Sequence, residues 1–374
     1  MALIRANRDL RVDFFRGLAL WWIFTDHIPG DVLVDYSLHN FAFCDAAEIF
    51  VLLAGFGAGL AYGRGMDRNG YSYAAADVLR RAWTLYVAHI FLFVIFTAQV
   101  AYSAAALDHA SYLEESNLDV LANAPYRALL EALLLRFQPS LLNILPLYVV
   151  LLLMFVPGLA LLRRPYWLLG LSGGLYLLAG RFDLNLPSWT GGGWFFDPLA
   201  WQFLFMIGAV MSYRPPPMPR LRWPLDIAAI VVLLAGLFVM VVLIPHPVIG
   251  LYLPPGLLRF LLSEDKTTLH PFRLAAILSL AWLTIRLVPA HARWLHARLA
   301  KPFVLAGQNS LGVFCSGIFF GFLGRLAFTT DDGPAMQIAV NVLGALAMLS
   351  VAAIAAWYRG KGRAPRPPAA AEAA

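Results

Sequence analysis

Repeated apolar stretches, each long enough to cross a bilayer, are the feature that most restricts how this 374-residue chain can fold. The hydrocarbon layer takes about 20 apolar residues as a helix, and backbone groups inside it find partners only within helices or closed barrels. Candidate spans fall near 14–29, 45–63, 83–106, 140–162, 165–180, 198–213, 223–244, 271–289, 302–328 and 335–357. No alternating ten-residue barrel pattern competes with them. The expected fold is therefore all-α, a polytopic transmembrane bundle of about ten helices. Composition agrees: 60% of the residues are hydrophobic and 13% are charged, against about 25% charged in soluble domains, which excludes a soluble globule.

Charge sets the expected orientation. With a cytoplasmic N-terminus, 21 of the 28 basic residues fall in inner loops and membrane edges, leaving Arg127, Arg136, Arg181, Arg259, Lys266, Arg273 and Arg325 outside. The positive-inside rule then places both termini in the cytoplasm. The net charge of +6 thus reflects membrane topology, and no nucleic-acid partner is implied. Arg5, Arg8 and Arg11 precede an apolar stretch as in a signal peptide, but Asp26 and His27 fall within it and no cleavage site follows, so it reads as an uncleaved first helix. The organisation expected is one integral membrane domain, 1–358, and a disordered basic tail, 359–374. Cys44 and Cys315 are far apart and are read as free thiols. Outside the membrane, Leu129, Leu130, Leu133 and Leu134 recur at helical spacing between Arg127, Glu131 and Arg136. That pattern suits an amphipathic helix on the outer interface, serving either as a packing lid or in substrate binding.

Ionisable groups inside spans cost about 2.5–3.5 kcal/mol each at a helix centre, so each needs a partner or a function. Arg16 and His27 are eleven residues apart, about three helical turns, so they share one face with Asp13 near it and lie about 16 Å apart along the axis. Histidine is the side chain best suited to take a proton from a hydroxyl at neutral pH. Asp26 points about 100° away from His27 and is the weaker partner. A histidine that merely ends a helix is the plain alternative. Asp45 and Glu48 form an i, i+3 pair at the start of the second helix, where acids also complement the macrodipole. A pairing of His27 with Glu48 or Asp45 is open, and Gly55, Gly57 and Gly59 read as packing positions. Arg80 and Arg81 stand at the start of the third helix, before Tyr86 and His89, and suit a phosphate or simple positive-inside anchoring equally. Gln308, Asn309 and Ser310 make a polar cluster inside an apolar run. No metal-ligand cluster is evident, and no bound cofactor is expected.

The opening R8-D-L-R-V-D-F-F-R-G-L-A-L-W-W-I-F-T-D-H27, followed by D45-A-A-E-I-F-V-L-L-A-G-F56, resembles the OpgC family of membrane acyltransferases. The R-x10-H spacing from Arg16 to His27 is also similar to that of the wider acyltransferase 3 superfamily. Further matches are N143-I-L-P-L-Y148, W194-F-F-D-P-L-A-W-Q202 and G307-Q-N-S-L-G-V-F314. Asn143 and Asp197 depart from the family pattern, which has an acid and an asparagine there. The resemblance implies O-acyl transfer, succinyl in the named members, to hydroxyls of osmoregulated periplasmic glucans at the bacterial inner membrane. It makes His27 the catalytic base, with Arg16 and Glu48 as motif partners, and acyl-CoA, succinyl-CoA in particular, the donor. Arg80 and Arg81 are placed for the donor's phosphates, while Asp26, Asp45, Asn309 and Ser310 are further substrate-binding candidates. Partners are then the glycan acceptor, the acyl-CoA donor and the lipid bilayer. A proton-coupled transporter or flippase for an anionic metabolite or glycolipid is the rival from another class, and a scaffold for a glucan synthase the third.

Overall fold

The computed structural model describes residues 9–215, 217, 221–263 and 265–361, and they are helical apart from an isolated bridge between Pro187 and Gly193 and the connecting turns. In chain order the principal helices are α1 (Leu10–Asp26), α2 (Ala46–Asn69), α3 (Tyr71–Ala106), α4 (Pro125–Leu133), α5 (Ile144–Leu161) and α6 (Pro165–Phe182). They continue as α7 (Pro198–Tyr213), α8 (Trp223–Leu243), α9 (Pro271–Leu287), α10 (Lys301–Gln308), α11 (Ser310–Phe328) and α12 (Pro334–Lys361). Helices α2, α3, α5, α8, α11 and α12 are long and apolar enough to cross a membrane. All ten expected stretches carry helix, although α1, α7 and α9 have only 16 or 17 residues. Several helices open on proline, as at Pro165, Pro198, Pro271 and Pro334, where the missing N–H would have had no helical partner anyway.

The chain divides into two compact units, 1–30 with 288–374, and 31–287. In the first, α1 and α10 meet backbone to backbone. A Cβ on Gly17 would lie 1.9 Å from the Phe303 carbonyl oxygen, and one on Gly307 would lie 1.8 Å from that of Asp13. These pairings run in opposite senses, so α10 is antiparallel to α1. Helix α11 runs parallel to α1 instead, with Gln308 beside Asp13 and Gly321 beside Phe24 and His27. The single span expected over 302–328 is therefore two helices, and the chain turns at Asn309. The cause is local: the Asn309 amide donates to the Leu305 carbonyl at 2.7 Å, the kind of side-chain competition for backbone groups that interrupts helices. Helix α12 packs along α11 and reaches Lys361, so the expected tail begins as helix, and its remainder, 362–374, lies outside the described residues.

In the second unit α2 and α7 cross with the same close approach, Gly55 against the Phe205 carbonyl and Gly208 against that of Leu52. Gly55 and Gly59 are thus packing positions. Successive helices alternate in direction. One end gathers Asp67, Arg163 and Tyr213, with Arg163 at 3.1 Å and the Tyr213 hydroxyl at 2.8 Å from Asp67 Oδ1. The other end gathers Asp45, Lys266 and Arg273. Helix α3 begins at Tyr71, so Arg80 and Arg81 are more than two turns inside it rather than at its start. Helix α4 carries its leucines outward: Leu129, Leu130 and Leu133 are exposed, whereas Ala128, Glu131 and Ala132 are buried. Its contacts run through Ala128, Glu131 and Ala132 and not through the leucines.

Candidate active site

Helix α1 starts on Asp9, whose carboxylate accepts from the Arg11 N–H, and stops at Asp26. His27 is its C-cap, with its backbone N–H donating to the Phe24 carbonyl at 3.3 Å. The expectation that His27 lies within the helix is corrected by one residue. Its half-buried ring follows the α1 face that meets α11, where Gly321 leaves room beside the His27 Cβ. Asp26, the last helical residue, is half-buried next to it.

The opposite end of α1 holds a second polar group in the same unit. Asp13 is 2% exposed, lies 3.9 Å from Arg16 Nη1, and accepts from Gln308 Nε2 at 3.2 Å. Neighbouring Asn309 accepts through Oδ1 from the Arg359 guanidinium of α12. The cluster expected from Gln308, Asn309 and Ser310 is therefore joined to Arg16 and Asp13, and Arg359 was not anticipated in it. The backbone contacts at Gly17 and Gly307 fix Asp13 and Gln308 relative to one another. Arg16 and His27 terminate this arrangement, about 16 Å apart along the helix.

The other unit builds its polar centre from Asp45 and Glu48. These residues form a capping box: Asp45 Oδ1 accepts from the Ala47 N–H at 2.8 Å, and Glu48 Oε2 accepts from the Asp45 N–H at 3.0 Å. Glu48 Oε1 then takes Arg273 at 2.6 Å, and Asp45 Oδ2 takes Lys266 at 2.6 Å and Arg273 at 3.2 Å. Glu48 is 0% and Arg273 1% exposed. Burial opposes ionisation of Asp45, yet its bond with Glu48 and the charges of Lys266 and Arg273 outweigh it and hold the carboxyl below the usual carboxylate range. Burial, with both carboxylates adding, pushes the Cys44 thiol up, so this buried cysteine is no ready nucleophile.

Lys266 is held there by its own segment. The Trp201 indole donates to the Lys266 carbonyl at 2.9 Å, the Asp197 N–H to the Thr267 carbonyl at 3.0 Å, and the Tyr176 hydroxyl to the Leu269 carbonyl at 2.9 Å. Asp197 caps α7 by accepting from the Leu199 N–H at 2.9 Å. Its Oδ2 has no partner among the described residues, and burial, with Asp183 and Asp265 adding, raises its pKa to about 6. Arg80 is exposed on the outward face that also carries Trp83, Val87 and Phe91, the setting of an interfacial anchor, while Arg81 is half-buried. His89, two turns on, is fully buried and neither ring nitrogen has a partner among the described residues.

Sequence reasoning counted Lys266 and Arg273 only as charges of outer loops. The signal that could have found them is that two acids at the mouth of an apolar helix require cations, and Arg273 sits in the first turn of another such helix. Neither the curated proteins nor the solved structures provide a match to this chain. A family model described as OpgC protein matches residues 8–360, from the α1 motif to the last turn of α12. With nearly the whole length matched, and the motif residues at the two polar centres described above, the chain belongs to the OpgC family.

Proposed function

We propose that this protein is an inner-membrane O-acyltransferase that moves an acyl group, succinyl by family precedent, from acyl-CoA to hydroxyls of osmoregulated periplasmic glucans or a related envelope glycan. Membership of the OpgC family carries the reading. In this topology ten spans cross the membrane and both termini are cytoplasmic, as the basic residues favour. The leucine face of α4 then rests on the outer interface.

The chemistry belongs to His27. Its neutral imidazole takes the proton of a glucan hydroxyl as the oxygen bonds to the thioester carbonyl carbon. The carbon–sulfur bond then breaks, and the imidazolium returns the proton to the departing thiolate. We read the transfer as direct, and among the described residues no base is bonded to Ser310. Asp26 beside His27, and Asp45 at the mouth of α2, are acceptor-side candidates. The separation along α1 supports a CoA donor. From phosphorus to sulfur a phosphopantetheine arm has about 13 bonds, the length of about four extended residues, or about 15 Å. That matches the interval of about 16 Å between Arg16 and His27. Asn309 and Ser310 lie at the donor end of this interval, and the Arg80, Arg81 pair, with Arg81 half-buried and Arg80 exposed, keeps its reading as a candidate for the donor's phosphates. Glu48, with both oxygens committed to Arg273 and the Asp45 N–H, is a positioning residue.

The test is mass spectrometry of periplasmic glucans, before and after mild base, from cells carrying the wild type or His27→Ala at equal membrane levels. A base-labile adduct with the wild type alone is expected, and its mass identifies the acyl group. No adduct on any envelope glycan in either strain overturns the reading and favours proton-coupled transport.

A further inference from the structure

Arg359 stands in the last turn of α12, where a cation also complements the helix dipole. Its guanidinium bonds the neutral amide of Asn309, and no carboxylate among the described residues pairs with it. Asn309 is 8% exposed, and its amide nitrogen is anchored on the Leu305 carbonyl. The acceptor that aims Arg359 is therefore fixed by the fold. Next to Asn309, Gln308 bonds Asp13, the same carboxylate that Arg16 approaches at 3.9 Å. Arg16 and Arg359 thus each reach a residue of one joined polar group, Arg16 the Asp13 carboxylate that Gln308 bonds and Arg359 the amide of neighbouring Asn309. A planar guanidinium presents paired donors that match phosphate oxygens, and a second one nearby suits a group carrying more than one negative charge.

We propose that Arg359, with Arg16, grips a phosphate of a phosphopantetheine-bearing acyl donor, setting the thioester at His27. The proposal deepens the acyltransferase reading and rests on it. Asn309 positions the Arg359 fork, and Asp13 with Gln308 positions Arg16. The shared chemistry, a phosphate oxyanion, could also come from a lipid headgroup at the same membrane edge, and the experiment separates the two sources.

The full-length protein in nanodiscs of zwitterionic lipid is titrated with coenzyme A by calorimetry, as wild type, Arg359→Gln and Arg359→Lys. Loss of one charge-assisted contact predicts about ten-fold weaker binding for Arg359→Gln, with Arg359→Lys between it and the wild type and both variants melting with the wild type. If Arg359→Gln does not fold, Arg359→Lys decides by whether its affinity falls. Dephospho-coenzyme A, which keeps the phosphate of the phosphopantetheine arm, should show the same loss in Arg359→Gln, and a loss seen with coenzyme A alone overturns the assignment to that phosphate. Variants that bind coenzyme A like the wild type overturn the proposal and leave the acyltransferase reading intact. So do variants that lose only anionic-lipid binding, measured by native mass spectrometry with phosphatidylglycerol. Absence of coenzyme A binding by the wild type overturns both the proposal and the choice of donor.

Discussion

Replacing Arg273 with leucine isolates the ion network at the mouth of α2. In the wild type two carboxylates, Asp45 and Glu48, face two cations, Arg273 and Lys266, and the pair Glu48 and Arg273 is essentially unexposed. Removing the guanidinium leaves Lys266, itself bonded to Asp45, and deprives the fully buried Glu48 carboxyl of its cation, so that it either stands uncompensated or takes up a proton. Breaking one side of a buried pair costs about 3–5 kcal/mol, and Arg273 at 1% exposure warrants the full range. The double variant Glu48→Gln, Arg273→Leu behaves differently. The carbonyl oxygen of the introduced glutamine still accepts the Asp45 N–H, Asp45 keeps Lys266, and no unpaired charge remains. Its cost should be about 1–2 kcal/mol, so adding Glu48→Gln to Arg273→Leu should recover about 2–3 kcal/mol, the sign of a favourable coupling. Unfolding of the purified protein by SDS titration in mixed micelles measures all four species of the cycle. A single variant within about 1 kcal/mol of the wild type, or a double variant as unstable as the sum of the singles, would refute the reasoning.

Three further outcomes follow from the same kind of argument. Gly307→Ala should destabilise strongly, by more than about 2 kcal/mol, because its Cβ meets the Asp13 carbonyl at 1.8 Å. Gly170→Ala, with open space at its Cβ, should gain about 0.5–1 kcal/mol of helix propensity, and thermal melts of the two variants should shift in opposite directions. Asp197 titrates near pH 6 when folded and near 3.8 otherwise. Its burial therefore penalises the folded state increasingly from about pH 4 and fully above pH 6. Asp197→Asn should accordingly raise the melting temperature at pH 7.5 but not at pH 4, and an offset independent of pH would contradict this, once Asp183 and Asp265 are checked as the facing acids. Leu130→Trp on the exposed face of α4 should be quenched by brominated lipid and protected from aqueous iodide, the reverse of what a solvent-facing position gives.

How far the sequence could be read depended on the range of the interaction. Hydropathy located all ten helical stretches because each is a local property of about 20 residues. It passed over the turn at Asn309, since one residue barely moves the mean of such a window. The R-x10-H spacing in α1 was equally local, and only the end of the helix differed, by one residue. Arg273 was out of reach: it finds Glu48 across 225 residues of chain, and no periodicity reports on such a pairing. Arg359 was missed for another reason, its basic, proline-rich surroundings having the composition of a tail, whereas α12 carries the helix through it to Lys361.

The glycine crossings have a consequence for how the sequence can vary. At Gly17 and Gly307, and again at Gly55 and Gly208, the atom facing the missing Cβ is a main-chain carbonyl oxygen of the opposite helix. Where two side chains meet, an enlargement on one can be offset by a reduction on the other, and the pair drifts together. Here the partner has nothing to trim, because every residue carries the same oxygen. These positions should therefore admit no compensating second-site change short of separating the helices. A saturation screen for suppressors of Gly17→Ala should return substitutions that alter the path of α10, and none at Phe303 that merely change its side chain.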